Sequence, residues 1–64
     1  SLPKVTGVEI KTITKKNINI NNVSDNDGYT AEVAIKYEKN MNYPTEVTLS
    51  MIHKDNKLYI VEVK

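Results

Sequence analysis

Residues 29–39 read YTAEVAIKYEK, and the alternation within them decides the fold class. Odd positions carry Tyr29, Ala31, Val33, Ile35 and Tyr37. Even positions carry Thr30, Glu32, Lys36 and Glu38, interrupted only by Ala34. A period of two sets every odd side chain on one side of an extended chain, whereas a helix would scatter them around its circumference. The segment therefore predicts a β-strand with one buried face.

C-terminal to it, Asn40-Met41-Asn42-Tyr43-Pro44 punctuates the chain as a connection. TEVTLSMIH (45–53) resumes the alternation with Val47, Leu49 and Met51, and KLYIVEV (57–63) continues it with Tyr59, Val61 and Val63. A three-residue loop at Lys54-Asp55-Asn56 would set Met51 opposite Tyr59, Leu49 opposite Val61 and Val47 opposite Val63. A two-residue loop would place Leu49 opposite Glu62, a poor match on a buried face. The three-residue form is expected, with Asn56 in the left-handed conformation that asparagine tolerates.

The N-terminal half suggests the same device. In VEIKTITKKNININ (8–21), a loop at Lys15-Lys16-Asn17 would pair Thr14 with Ile18 and Thr12 with Ile20, so that Val8, Ile10, Thr12, Ile18 and Ile20 share a face. Gly7 suggests a bulge or a close backbone approach. NNVSDNDG (21–28) is the most turn-like stretch, and its Asp27-Gly28 dipeptide suits a two-residue hairpin turn that would set Ile20 opposite Ile35. The expected fold is all-β: one small domain, 1–64, forming an antiparallel meander of about five strands without a helix. Its single apolar face needs a cover. The sheet can curl into a small barrel, pair with another sheet or accept helices from elsewhere.

Composition narrows the function classes. Sixty-four residues bury a thin core, with a stability expected near ~3–5 kcal/mol. There is no cysteine, so neither disulfides nor a cysteine-based zinc site supplements it. Nine lysines oppose eight acids for a net charge of +1, and arginine is absent. Nucleic-acid binders usually carry a basic excess with arginine for bidentate contacts, so no nucleic-acid partner is expected. No apolar run is long enough to span a bilayer as a helix, so membrane attachment would come only through a segment outside this chain. The start at Ser1-Leu2-Pro3-Lys4, without an initiator methionine, fits an excised or mature domain or the C-terminal part of a larger protein.

Few residues offer chemistry. His53, the single histidine, ends a strand beside a turn, with no carboxylate of matching parity except across the loop; a strand-end structural role is expected rather than general-base or metal-binding work. Asp25, Asn26 and Asp27 fail the calcium-loop spacing, since placing Gly28 sixth leaves Val23 first and Ala34 twelfth. Asn22-Val23-Ser24 matches a glycosylation sequon, a frequent chance pattern. Glu32, Glu38, Glu46 and Glu62 mix with lysines on the polar strand faces as a solvated surface. Tyr29, Tyr37 and Tyr59 share the apolar parity and are expected in the core with hydroxyls at the rim. Met41 and Tyr43, in the long connection, are the candidates for contact with a partner. No catalytic residue, cofactor or metal ligand is expected.

VEIKTITKKNINI, YTAEVAIKYEKN and TEVTLSMIHKDNKLYIVEV together resemble the sheet portion of nuclear-transport-factor-like domains of the cystatin-like superfamily, over about residues 8–63. The nearer likeness is to those of Gram-positive envelope lipoproteins and extracellular conjugation-machinery subunits. The family's Lys-Asp-Gly-Lys-type turn is matched by Lys54-Asp55-Asn56-Lys57, with Asn56 in place of the glycine and Leu58-Tyr59 at the aromatic position. The resemblance implies the β-half of an α+β cone fold whose helices precede the sheet and fill its concave face; none is visible in this chain. It also implies an extracytoplasmic location in a bacterial cell envelope. The expectation is a non-enzymatic interaction or scaffold module, conjugation- or secretion-associated, whose partner is another protein domain or another copy of itself. The alternative is a small oligonucleotide- or ligand-binding β-barrel.

Overall fold

The computed structural model describes residues 3–39 and 42–64. They form one antiparallel sheet of four strands in sequential order: β1 (Val5–Ile20), β2 (Val23–Tyr37), β3 (Glu46–Lys54) and β4 (Lys57–Val63). The meander expected from the alternation is present, and no helix occurs among the described residues. β1 and β4 are both edges, so the sheet stays open rather than closing into a barrel.

There are four strands rather than about five because the chain does not reverse at Lys15-Lys16-Asn17 or at Asp27-Gly28. It reverses once, at Asn21-Asn22, where both residues have left-handed backbones (φ 52° and 64°), as a two-residue hairpin turn matched to strand twist requires. One long hairpin results, with Ile20 opposite Val23 and Val5 opposite Tyr37 at its two ends. Three bulges accommodate it, with extra residues at Thr6 and Lys11 on β1 and in the Asn26–Asp27 stretch of β2.

Gly28 has no positive φ. It is glycine because a Cβ there would lie 2.8 Å from the Met51 carbonyl oxygen and 3.1 Å from that of Lys16, and would meet Ile18 Cγ1. Gly7 sits next to the Thr6 bulge without a close approach; a Cβ there would meet only the Lys36 side chain, at 3.8 Å.

The last hairpin also departs from expectation. Its turn is the two-residue Asp55-Asn56, with φ of 52° and 63°, and Lys54 pairs with Lys57. The poor match of Leu49 with Glu62 is avoided by a bulge: Met51 faces Ile60, Ser50 faces Glu62, and Val61 is the inserted residue. Leu49 thereby meets Val63. The inserted residue reverses the parity before it, so Leu58 and Ile60 join the face of Met51, while Tyr59 lies opposite Ile52 on the other side.

The pairings define two faces. On one, Ile13, Ala31, Leu49 and Val63 form a row across all four strands, flanked by the rows Ile10–Val33–Val47 and Lys15–Tyr29–Met51–Ile60. Val8 beside Ile35 and Val5 beside Tyr37 extend it. The opposite face carries Thr14–Thr30–Ser50–Glu62, Thr12–Glu32–Thr48 and Glu9–Ala34–Glu46. Beyond Gly28 the hairpin bends over this polar face, where Ile18 and Ile20 line a depression with Thr30, Ser50 and Glu62. Ser50 is buried there, and Ile18 is only 4% exposed. Among the described residues, the buried apolar side chains apart from Ile18 are Ala31 and Val33, so the core is thin.

Candidate interaction surface

The apolar face is built from β-branched and aliphatic side chains that the bulges bring into register. Without the extra residue at Lys11, Ile10 and Ile13 would point to opposite sides; with it, Ile13 stands beside Ala31 and Ile10 beside Val33. Ala31 and Val33 are shaded by their cross-strand neighbours. The flanking residues have no such cover. Val5, Val8, Ile10 and Ile13 on β1 and Leu58, Ile60 and Val63 on β4 are 48–64% exposed, all on this face. Tyr59 is exposed on the other.

The cost of this exposure is large for so small a chain. Fully burying a Val, Leu or Ile side chain is worth ~1.5–3 kcal/mol. Seven of them left about half exposed forgo on the order of 5–10 kcal/mol, more than the ~3–5 kcal/mol of stability expected of a domain this size. The area agrees. A folded chain of 7.3 kDa normally exposes about 4,200 Å², whereas this one exposes 5232 Å². Its radius of gyration is 13.6 Å, against about 11 Å for a compact chain of its length.

Charge is nearly absent from this face. Its one lysine, Lys15, is held 3.3 Å from Asp27, and His53 lies at its margin beside Leu58. The polar face is the charged one. There the bulged Lys11 donates to Glu46 Oε1 at 3.1 Å across the sheet. That contact, with Glu9 and Glu32 nearby, raises the Lys11 ammonium above its ordinary pKa.

Of the residues singled out in the sequence, Met41 lies outside the described residues. Tyr43 is half-buried, its ring 5.7 Å from that of Tyr37. The Tyr37 hydroxyl donates to the Pro44 carbonyl at 2.6 Å, so the connection is folded back onto the Tyr37 end of the apolar face. The ring of His53 meets Tyr29 edge-on at 6.0 Å.

The structure supplies His53 with a partner that sequence parity missed, at the backbone rather than the imidazole. β2 turns away at its bulge while β3 runs on, so the His53 N–H has no strand opposite. Asp25 Oδ2 accepts it at 2.6 Å, and Oδ1 accepts the Asp27 N–H at 2.8 Å. These two donors, His53 first, hold the Asp25 carboxyl below its ordinary pKa. Asp25 is thus a clip between the bulge and the end of β3. The turn-like composition of NNVSDNDG hinted at an Asp of this kind, but not at its target 28 residues away. Among the described residues no three His, Asp or Glu side chains are grouped to hold a metal ion. No protein-family model, curated protein or solved structure matches the chain.

Proposed function

We propose that this chain is a non-catalytic protein-interaction or scaffold module whose apolar sheet face docks against another protein surface. The observation that carries the reading is the set of seven large aliphatic side chains, 48–64% exposed, on one nearly uncharged face. Contiguous apolar surface of this kind marks interaction sites. Tyr43, packed on Tyr37, would extend the docking surface at one end, and Met41, two residues before it in sequence, remains part of the proposed contact. The two groups with displaced pKa, Asp25 and Lys11, have their displacement explained by structural contacts, which supports a role without acid–base catalysis. The resemblance to envelope and conjugation-machinery domains supports placing the module in a bacterial cell envelope.

The test is binding of a solvatochromic apolar dye by dilute protein. Wild type should enhance its fluorescence, and Ile10→Lys combined with Ile60→Lys should abolish the enhancement while the β-sheet circular dichroism persists. A wild-type protein that leaves the dye unchanged at every concentration, in a species of one chain, would remove the docking surface. The envelope assignment is tested separately by fractionating cells that express the parent protein; recovery in the cytosol would refute it.

A further inference from the structure

The geometry points to a second copy of this chain as the occupant of the apolar face, an inference that rests on the docking surface proposed above and names its partner. Area is the first argument. Each chain exposes 5232 Å², about 1,000 Å² more than a folded monomer of its mass. Two chains together therefore carry an excess of about 2,000 Å² over their whole surfaces, the exposed apolar face and the elongated outline of 39 × 21 × 18 Å both contributing, and permanent homodimer interfaces begin at about that size.

Charge is the second argument. A face that packs on its own copy by two-fold symmetry meets its own charges, so unpaired charge on it would repel. Here Lys15 is already neutralised by Asp27, and the remaining rows are aliphatic or aromatic. The lysine–carboxylate pair Lys11–Glu46 stands on the opposite face, away from the contact. Side-chain type is the third. The apolar side presents rows of Val, Ile and Leu, the surface that stacks sheet on sheet about 10 Å apart.

Sedimentation velocity on the full chain from below 1 µM to several hundred µM tests this, together with thermal melts over the same range. The expected result is reversible formation of a species of about 14.6 kDa, twice the 7.3 kDa chain, with a Tm that rises with concentration. Ile13→Lys should weaken the dimer by more than about 100-fold, because each copy then buries an unpaired ammonium. Thr48→Lys, on the polar face, should leave it unchanged. If Ile13→Lys does not fold, the concentration dependence of the wild-type Tm decides alone.

A 7.3 kDa species throughout, with a constant Tm, overturns the second copy; so does a dimer that Ile13→Lys leaves intact, or an open series of larger species. Dye binding separates the two readings. A monomer that binds the dye loses the second copy but keeps the docking surface, and a monomer that does not bind it loses both.

Discussion

Replacing Gly28 with alanine should destabilise the protein, and the sign of the effect is the informative part. Gly28 lies in extended backbone with no positive φ. At such a position Gly→Ala ordinarily stabilises by ~0.4–1 kcal/mol, because it restricts the unfolded chain. The structure reverses that expectation. A Cβ at Gly28 would stand 2.8 Å from the Met51 carbonyl oxygen and 3.1 Å from that of Lys16, besides meeting Ile18 Cγ1. Ile18 can shift, but the two carbonyls belong to the backbone of the neighbouring strands, so relief requires moving a ladder. Overpacking of this kind costs ~1–3 kcal/mol, which in a chain of this size lowers the Tm by roughly 5–20 °C. Gly7 is the control, because its added Cβ would meet only the flexible Lys36 side chain at 3.8 Å. Gly7→Ala should be neutral or stabilising by up to about 1 kcal/mol. Urea and thermal melts followed by circular dichroism measure both. An unchanged or raised Tm for Gly28→Ala would refute the close approach of β1, β2 and β3 at this point, and with it the bend of the hairpin over the polar face.

Two further substitutions probe the elements that set the register. Asn22→Gly should raise the Tm by a few degrees, since Asn22 is left-handed at φ 64° and glycine takes that conformation without strain; a lowered Tm would contradict the turn at Asn21-Asn22. Asp25 has a folded pKa below its unfolded value, so its contribution to stability is present above about pH 4 and lost as pH falls through the folded pKa. Asp25→Asn should therefore lower the Tm at pH 6 and flatten the acid limb of the stability profile. A variant whose acid limb matches wild type would show that the carboxylate does not hold the His53 and Asp27 amides.

The strongly alternating segments were legible in the sequence: β2 and β3 follow the period of two through Ala31, Val33, Val47 and Leu49, and all four lie on one face. What was not legible is where single residues are inserted. The bulges at Lys11, in Asn26–Asp27 and at Val61 each shift the register by one, and a shift of one reverses every side chain beyond it. The alternation alone therefore does not place Ile13, Leu58 and Ile60 on the apolar face, and it puts Tyr59 on the wrong side. The hairpin turn was misplaced for a related reason. Asp27-Gly28 carries the stronger local turn signal, but turning at Asn21-Asn22 lets β1 and β2 pair over their full length and frees Gly28 for close packing. That the apolar face needs a cover was evident from the alternation; how much of it is bare followed only once its flanking strands were in register.

The central claim is that the bare sheet face is covered by a second copy, and molar mass against concentration tests it most directly. Sedimentation velocity should show the 7.3 kDa chain passing reversibly to a species of twice its mass as concentration rises, with Ile13→Lys abolishing the transition and Thr48→Lys sparing it. A single-chain species at every concentration, or a dimer indifferent to Ile13→Lys, would contradict it.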